Sequence, residues 1–362
     1  MKNNLTAIVS NFQIEGTIEK VSEFGDGHIN QTFLVSTKGA GTPDYILQCK
    51  NSNIFTDVPG MMSNIYKVTS HLKKKIIERN GDPLRESMTI IPTIDGELFY
   101  KDNFGEYWTL YLFIEDNISY EVANTPELAY SGGKGIGKFQ RMLSDFNESL
   151  TDILPGFHNI RYRFQQWYAV LSKDPVGRKA AVQEEISWIE SRKNEMLSFW
   201  ELIETQLIPT RVTHNDTKIN NILFDKAGNV LCVIDLDTVL NSSALNDFGD
   251  AIRSYTNTGL EDDQNPDQVS MNLKIFDAFS KGYLEEAQTF LTQTEKDYLA
   301  FSARYITYEQ VLRFLMDYID GDNYYKVKYD NHNLVRTRAQ YKLLQSIEGH
   351  FDEINAIIKK YS

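Results

Sequence analysis

The spacing of apolar residues predicts strands in the first third of the chain. In "GTIEKVSEFGDGHINQTFLVSTKGAGTPDYILQCK", apolar and polar residues alternate in arms separated by turns, the pattern of half-buried strands. The segment "MTIIPTIDGELFYKDNFGEYWTLYLFIE" predicts two more strands around a glycine-bearing turn. Between these stretches, "NIYKVTSHLKKKII" places Ile65, Val68 and Leu72 on one face of a helix.

From Thr125 onward the spacing becomes helical. Thr125, Pro126 and Glu127 are typical of a helix start, with a capping hydroxyl, a proline in the first turn and an acid. Further helices are predicted at about residues 161–172, 180–206, 270–287, 294–319 and 334–360. We therefore expect an α+β chain, with a small β-rich lobe at residues 1–114 and a larger helical lobe at residues 115–362.

The charge balance limits the class of ligand. Of the 362 residues, 41% are hydrophobic and 24% charged, as in globular proteins, and the formal net charge is −13. This charge argues against nucleic acid, whose affinity comes mainly from Lys and Arg that neutralise phosphates. A phosphate-bearing ligand would need a local cation, most simply a metal ion.

We expect a cytoplasmic protein with both cysteines in its core. Cys49 and Cys232 lie in apolar, strand-like runs without metal-ligand or disulfide spacing, so we expect them to be small core residues. The start of the chain, "MKNNLTAIVSNFQIEG", lacks the apolar stretch of a signal peptide. No apolar run is long enough to cross a membrane, so we expect no membrane partner.

The stretch "VTHNDTKINNILFD" contains most of the candidate chemistry. After Asn221, the apolar arms "ILF" and "VLCVIDLD" enclose the turn "DKAGN" and predict a β-hairpin. Folding this hairpin would return Asp235 close to Asn221 and Asp216. Asp235 and Asp237 are expected to point the same way, because alternate residues of a strand share a face.

Carboxylates gathered in this way repel one another unless a cation lies among them. Oxygen ligands of this kind suit Mg²⁺, which proteins usually hold through one or two carboxylates together with substrate phosphates. Asn221 and Asp235 are then the natural metal ligands, and Asp216 is free to accept a proton from a hydroxyl nucleophile. The alternative is a hairpin in which Asn and Asp serve only as turn residues.

Two other motifs are less informative than they look. "GGKGIGKF" nearly matches a phosphate-binding loop, but Phe139 replaces the required hydroxyl and no strand precedes it. We interpret its small residues as a surface for close helix packing. "DFG" at residues 247–249 has the letters of the protein-kinase metal motif, yet it follows the hairpin too late for that role.

The motif "HNDTKINN" followed by "VIDLD" resembles the aminoglycoside phosphotransferase and choline kinase family. In that family a His-x-Asp is followed five residues later by Asn, and the metal-binding Asp comes after one short hairpin, where Asp235 stands. A later Asp-x-x-Asp braces the loop, and "DFGD" matches it, with Asp247 and Asp250 in the two places.

Further blocks extend the resemblance over nearly the whole chain, from Phe24 to Arg338. They are similar to the bacterial N-acetylhexosamine 1-kinases, a group within that family, and they read "FGDGHINQTFLVS", "YILQCKNSNIF", "RVTHNDTKINNILFD", "IDLDTVL", "DFGDAIR", "RFLMDYIDGDNYY" and "HNLVRTR". The central motif alone specifies only a small-molecule kinase, whereas the flanking blocks indicate the sugar.

The resemblance implies a protein-kinase-like fold in which the N-terminal lobe binds nucleotide. It implies Asp216 as general base, Asn221 and Asp235 as ligands of Mg²⁺, and ATP as co-substrate. The implied sugar-binding residues are His28, Asp216, Asp235, Thr238, Arg313 and Tyr324. The adenine is expected at the segment that connects the two lobes, which we call the crossover, at Phe113, Ile114 and Glu115.

The phosphate contacts depart from the kinase pattern. Such folds usually carry a strand lysine that contacts the phosphates and pairs with a helix glutamate. Here Gln48 takes the lysine position, and "NIYKVTSHL" contains no Glu. Lys50 shares the strand face of Gln48. We expect either that Lys50 and the glycine turn with Gly25 and Gly27 hold the phosphates beside Gln48, or that the metal ion offsets more of their charge.

The expected reaction is transfer of the ATP γ-phosphoryl group to the anomeric 1-hydroxyl of N-acetylglucosamine or N-acetylgalactosamine. Another small hydroxyl acceptor remains an alternative: choline or an amino alcohol, an aminoglycoside, or another sugar. From a different class, a non-catalytic nucleotide-binding scaffold is also open. A protein kinase is disfavoured, because no activation-segment pattern follows Asp235.

Overall fold

An antiparallel sheet forms the N-terminal third of the protein. The structure, a computed structural model, describes residues 4–25 and 29–362. Within these ranges six strands form the sheet in the order β1-β2-β3-β6-β4, with β5 also paired to β6. The strands are β1 (Thr17–Glu23), β2 (Gln31–Lys38), β3 (Tyr45–Lys50), β4 (Ile90–Ile91), β5 (Tyr100–Lys101) and β6 (Tyr107–Leu112). The strand-rich start predicted from alternation is confirmed, but the segment from Met88 to Glu115 holds three strands, β4, β5 and β6, where two are predicted.

The core of this region lies on one face of the sheet. Val35 on β2 and Leu47 on β3 are fully buried, as alternation requires, and Leu47 lies opposite Leu110 on β6. Helix α1 (Leu5–Val9) packs Ile8 and Val9 into the same cluster. Cys49 is buried in this cluster and Cys232 is buried elsewhere, both as free thiols, so their prediction as core residues is confirmed.

Helix α2 (Val58–Glu78) follows the third strand. Ile65, Val68 and Leu72 are all buried on it, as their spacing predicts. The short helix α3 (Pro83–Glu86) leads back to the sheet.

The chain divides into two compact units. The first consists of Met1–Ile118, Asp145–Leu154 and Leu223–Leu240, and the second of Ser119–Ser144, Pro155–Ile222 and Asn241–Ser362. The first unit therefore contains the sheet and most of the predicted hairpin. The boundary expected between residues 114 and 115 stays a prediction.

Helices dominate the second unit. They are α4 (Pro126–Met142), α5 (Ile160–Lys173), α6 (Gln183–Glu204), α7 (Ala244–Tyr255), α8 (Leu273–Ala287), α9 (Gln293–Asp320), α10 (His332–Gly349) and α11 (Phe351–Tyr361). The short strands β7 (Arg211–Thr213) and β10 (Leu240–Ser242) accompany them. Thr125 caps α4 by accepting a hydrogen bond from the Leu128 amide, as predicted.

The single helix predicted at residues 334–360 is wrong. It is two helices, α10 and α11, because His350 leaves helical geometry after Gly349, a poor helix former. Helix α7 is absent from the sequence prediction, in which its residues serve only to brace the loop.

The glycines of "GGKGIGKF" lie in helix α4 and allow it to touch α8. A methyl group on Gly133 would lie 2.2 Å from the Phe279 carbonyl oxygen, and one on Gly282 would lie 2.1 Å from the Tyr130 carbonyl oxygen. At such distances a side chain would force the two helix backbones apart. The interpretation of this motif as a helix-packing surface is confirmed.

The α+β organisation, a small antiparallel sheet followed by a larger helical part, is the predicted fold class. In the part of the chain that the structure describes, no helix is both long and apolar enough to cross a membrane.

Candidate active site

The predicted hairpin is present. Strands β8 (Ile222–Phe224) and β9 (Val230–Val233) pair around a turn in which the Asp225 amide donates to the Asn229 carbonyl and Gly228 takes a positive φ of 81°. The strand, however, ends at Val233. Asp235 then adopts a left-handed conformation, with φ of 59°, and residues 236–238 form a 3-10 turn.

The strand alternation expected for Asp235 and Asp237 is therefore wrong, because neither residue lies in a strand. A left-handed aspartate is strained, and such strain persists only where the surroundings hold it. Asp237 and Thr238 lie in the 3-10 turn, and both are buried. The turn fixes the backbone next to Asp235, the predicted metal ligand.

Lys50 forms a buried ion pair with Asp237. Its ammonium nitrogen lies 2.7 Å and 2.8 Å from the two carboxylate oxygens and donates a further hydrogen bond of 2.7 Å to Gln48 Oε1. The shared strand face of Gln48 and Lys50 is thereby confirmed. Asn30 also donates to Asp237, at 2.7 Å.

Burial by itself lowers the pKa of Lys50, but the opposite charge of Asp237 more than offsets this, so the pKa is raised. Lys50 is thus charged, fully buried and engaged through three hydrogen bonds, the number that an ammonium can donate. Its predicted contact with phosphate stays a prediction, and in the present geometry its charge is directed at Asp237.

The other predicted nucleotide-binding residues belong to the glycine turn and to the crossover. Gly25 has a positive φ of 68°, which glycine adopts without strain, whereas Gly27 and His28 lie outside the described residues. Phe24, beside this turn, makes an edge-on contact with Phe113 at 5.9 Å between ring centroids. Phe24, next to Gly25, therefore borders the crossover within the first unit.

Hydrogen bonds fix the backbone of that crossover. The Phe113 amide donates to the Asp44 carbonyl, Asn117 donates to the Ile114 carbonyl, and Arg85 donates to the Glu115 carbonyl. The position of adenine at these three residues stays a prediction.

The second unit holds the loop with the candidate base. Asp247 accepts hydrogen bonds from the backbone amides of His214 at 3.0 Å and Asn215 at 2.7 Å. Asp250 accepts one from the Thr217 amide at 2.8 Å. The "DFGD" segment at the start of α7 thus braces the loop on both sides of Asp216, as the resemblance implied.

Both bracing carboxylates are buried. Burial raises the pKa of Asp247, although His214 and the backbone donors oppose the change. Gln140 on α4 donates to Asp247 at 2.9 Å and accepts from Tyr283 on α8 at 2.6 Å. The loop is therefore anchored to the packed helices of this unit.

Asp216 is held between a lysine and an amide. Lys218 Nζ lies 2.8 Å from Asp216 Oδ1, and Asn221 Nδ2 lies 3.2 Å from Oδ2 and 2.9 Å from the Asp216 carbonyl oxygen. Burial alone would raise the pKa of Asp216, but Lys218, followed by His214 and Arg253, lowers it below its ordinary value. The carboxylate is therefore ionised at neutral pH, as a proton acceptor must be.

The donor set suits a hard cation. The bonds to Asp216 use the amide nitrogen of Asn221, so the side-chain oxygen is the atom that Asn221 can offer to a metal ion. Among the described residues, no group of three or more His, Cys, Asp and Glu side chains is arranged to hold a metal ion. An amide and a carboxylate together with substrate phosphates remain the predicted Mg²⁺ ligands, and the approach of Asp235 to Asp216 and Asn221 stays a prediction.

Arg313 and Tyr324, two of the predicted acceptor-binding residues, are brought together. The guanidinium carbon of Arg313 lies 5.7 Å from the ring centroid of Tyr324, 5.6 Å from that of Tyr325 and 5.3 Å from that of Phe157. Burial lowers the pKa of Arg313, but the tyrosines and Glu309 raise it by more, so this group holds a permanent positive charge. We call Arg313, Phe157, Tyr324 and Tyr325 the arginine–aromatic group.

Sequence reasoning missed two residues of these sites. Lys218 stands two positions after the candidate base, and this proximity in the loop could have indicated a partner for Asp216. Tyr325 directly follows Tyr324, and its role depends on a turn that apolar spacing does not predict.

Comparisons with known proteins agree with the fold. The sequence matches the phosphotransferase enzyme family (APH) over residues 20–277. A microcompartment-associated aminopropanol kinase is similar with a TM-score of 0.67 and 12% identity, covering 97% of this chain and 98% of that one. An amicoumacin kinase in complex with AMP-PNP and Ca²⁺ has a TM-score of 0.59 and 11% identity, covering 95% and 94%.

Choline kinase from Cryptosporidium parvum Iowa II has a TM-score of 0.58 and 15% identity, covering 99% of this chain and 98% of that one. At these identities the likeness concerns the fold. The family match, in contrast, spans more than half of the sequence. The protein therefore belongs to the phosphotransferase enzyme family and has the fold of its small-molecule kinases.

Proposed function

We propose that the protein transfers the γ-phosphoryl group of ATP to the anomeric 1-hydroxyl of an N-acetylhexosamine. The products are the sugar 1-phosphate and ADP. The observation that carries the choice of acceptor is the fixed positive charge of Arg313 among aromatic rings. The sequence blocks that resemble N-acetylhexosamine 1-kinases support the same choice.

Asp216 acts as the general base. The 1-hydroxyl oxygen forms a bond to the γ-phosphorus, the bond from that phosphorus to the bridging β–γ oxygen breaks, and the hydroxyl proton passes to the Asp216 carboxylate. Its lowered pKa suits this task, because an anomeric hydroxyl is more acidic than an ordinary alcohol and needs only a weak base. Asn221 and Asp235 would hold Mg²⁺, which when bound offsets the negative charge of the phosphates.

The arginine–aromatic group argues against a cationic acceptor. A quaternary ammonium or an aminoglycoside binds well where aromatic faces and carboxylates are open to it. Here the guanidinium of Arg313 already lies over three rings, so a second cation would meet repulsion. A neutral sugar can instead accept hydrogen bonds from Arg313 and lay its ring against Tyr324, which is 50% exposed.

The test is a phosphorylation assay with ATP and Mg²⁺ over N-acetylglucosamine, N-acetylgalactosamine, glucose, galactose and choline. The position of the phosphate is read by phosphorus NMR. We expect 1-phosphates from the N-acetyl sugars, and their ratio gives the epimer preference. Choline phosphate or a 6-phosphate as main product would overturn the choice of acceptor.

The variant Asp216→Asn tests the role of Asp216 as general base. It keeps the size of the side chain and, through its one oxygen, one of the contacts to Lys218 and Asn221, but it cannot take the proton. We expect activity to fall by about 10²–10⁴-fold with nucleotide binding retained. If the wild-type protein binds ATP but phosphorylates none of the acceptors, a non-catalytic scaffold becomes the better account.

A further inference from the structure

The chain wraps around one buried carboxylate after helix α9. Asp317, near the end of that helix, is 5% exposed. Its Oδ1 accepts hydrogen bonds from the backbone amides of Asn323 at 2.9 Å and Tyr324 at 2.8 Å. Its Oδ2 accepts one from the Tyr325 amide at 3.0 Å and one from Asn333 Nδ2 at 2.8 Å.

These four hydrogen bonds use the full accepting capacity of the carboxylate. Three consecutive backbone amides point at one side chain, which is possible because Gly321 reverses the chain with a positive φ of 102°. Burial raises the pKa of Asp317, and the three backbone donors oppose that change. The carboxylate therefore determines the backbone path of residues 323–325.

A second set of contacts closes the same turn. Asn333 donates to Asp322 Oδ1 at 2.8 Å as well as to Asp317, and Arg178 donates to Asp322 Oδ2 at 2.6 Å. Arg178 also donates to the Tyr318 carbonyl at 2.8 Å. The turn is thus fixed at both ends, with Asp317 at its centre.

The turn carries two rings of the arginine–aromatic group. Tyr324 and Tyr325 contact each other edge-on at 4.8 Å, and Gln310 donates to the Tyr325 hydroxyl at 3.2 Å. Arg313 lies four residues before Asp317, so the two side chains share a face of α9. Among the described residues no ion pair joins them, since Asp317 is bound to the turn and Arg313 faces the rings.

We infer that Asp317 is a positioning residue for acceptor recognition, because it holds Tyr324 and Tyr325 against Arg313. This inference rests on the proposed function, which assigns Arg313 and Tyr324 to the acceptor. Asp317 does not touch the acceptor in this scheme. It sets acceptor affinity through the backbone that it binds.

The test compares Asp317→Asn with the wild type and with a matched control. Asn keeps the size of the side chain, but its amide group meets donors where the carboxylate accepted, so part of the turn is released. We expect the KM for the acceptor to rise about tenfold or more, the equivalent of one lost charge-assisted hydrogen bond, with the KM for ATP changed less than about twofold. Hydrogen exchange should become faster at the amides of residues 323–325.

Asp102→Asn is the control. Asp102 accepts hydrogen bonds from the amides of Phe104 and Glu106 at one oxygen and from Trp108 Nε1 at the other, so the same change removes the charge and at least one hydrogen bond at a turn that carries no predicted acceptor residue. Both KM values should stay at the wild-type level. If Asp317→Asn does not fold, Asn333→Ala removes one of the four hydrogen bonds and should raise the acceptor KM in the same direction by less.

The two measurements, hydrogen exchange at residues 323–325 and the KM values, separate this inference from the proposed function. Faster exchange at residues 323–325 with an unchanged acceptor KM would overturn the positioning role, and so would an equal rise of both KM values. Unchanged exchange would overturn the anchoring of the turn, whichever acceptor the enzyme uses. If the wild type prefers a different acceptor, the KM of that acceptor is measured, so failure of the proposed function leaves the test of Asp317 intact.

Discussion

The ammonium group of Lys50 and the carboxylate of Asp237 form an ion pair at 2.7 Å in which the lysine is fully buried and the aspartate side chain is 5% exposed. The pair joins strand β3 to the 3-10 turn that directly follows Asp235, across 187 positions of sequence. In kinase-like folds a strand lysine usually pairs with a helix glutamate. Here Lys50, two positions after the usual lysine position, pairs instead with Asp237, which lies two residues after the predicted metal ligand Asp235.

Removal of one partner should be strongly destabilising. Lys50→Met leaves the Asp237 carboxylate buried without its cation, and breaking a buried pair in this way costs about 3–5 kcal/mol. We expect the urea midpoint to fall accordingly. Asp237→Leu alone should have a similar cost, because it leaves a buried ammonium group.

The double variant Lys50→Met with Asp237→Leu should recover much of the loss, since no unpaired charge remains. Glu19→Gln is the control, because the exposed pair of Lys38 and Glu19 is worth only about 0–1 kcal/mol. A double variant that is as unstable as the sum of the single ones would contradict a mutual dependence of the two charges.

The lysine beside the candidate base should set the pH dependence of activity. Lys218 is the main charge that lowers the pKa of Asp216, so Lys218→Met should raise that pKa towards its ordinary value or above it, as burial dictates. A base acts only when deprotonated. The acid limb of the kcat/KM profile should therefore move to higher pH in the variant.

Lys226→Met serves as the control for this profile. Lys226 forms an exposed ion pair with Asp116, at 2.5 Å, and its loss should leave the acid limb in place. An acid limb at the same pH in Lys218→Met and the wild type would show that Asp216 is not the group that limits the rate in acid.

Local patterns predicted the elements on which the sites stand. The hairpin around Gly228, the cap at Thr125 and the buried face of α2 all follow from spacing and turn chemistry within short windows. The interpretation of the glycines at residues 132–137 as helix contacts is likewise confirmed, because a missing hydroxyl and a missing strand are visible in the sequence.

Contacts between distant segments could not be predicted in the same way. The partner of Lys50 is 187 residues away, and the assumption that β9 continues through Asp237 concealed it. The role of Asp317 depends on three backbone amides, which have no side-chain signature in the sequence. The division of the helix predicted at residues 334–360 follows a single glycine, Gly349, which the spacing of apolar residues does not register.

Acid stability should depend on Glu309. This buried carboxylate contacts His158 at 2.8 Å and Arg163 at 3.4 Å. Burial alone would raise its pKa, but His158, followed by Arg163 and Arg313, lowers it from 4.5 to about 2. A lowered pKa in the folded state gives stability that is complete above the unfolded pKa and is lost as the pH falls through the folded one.

Glu309→Gln should therefore be less stable than the wild type at neutral pH, and the difference should shrink between about pH 4.5 and pH 2. Urea unfolding at a series of pH values measures this difference. Glu19→Gln is again the control, because its exposed ion pair with Lys38 is worth only about 0–1 kcal/mol. A constant difference across the pH series would rule out the proposed linkage.

The contact of α4 with α8 gives a test that separates helix packing from phosphate binding. In Gly133→Ala the new methyl group would lie 2.2 Å from the Phe279 carbonyl oxygen, which is backbone and cannot move aside cheaply. We expect a loss of at least about 1–3 kcal/mol in the free energy of unfolding, the usual cost of overpacking. A methyl group on Gly349, at the end of α10, meets nothing within 4 Å, so Gly349→Ala should be neutral or slightly stabilising.

Nucleotide affinity is the second measurement on this contact. The affinity of folded Gly133→Ala for ATP should equal that of the wild type, because "GGKGIGKF" packs helices. A selective loss of ATP binding with unchanged stability would instead favour a phosphate-binding loop.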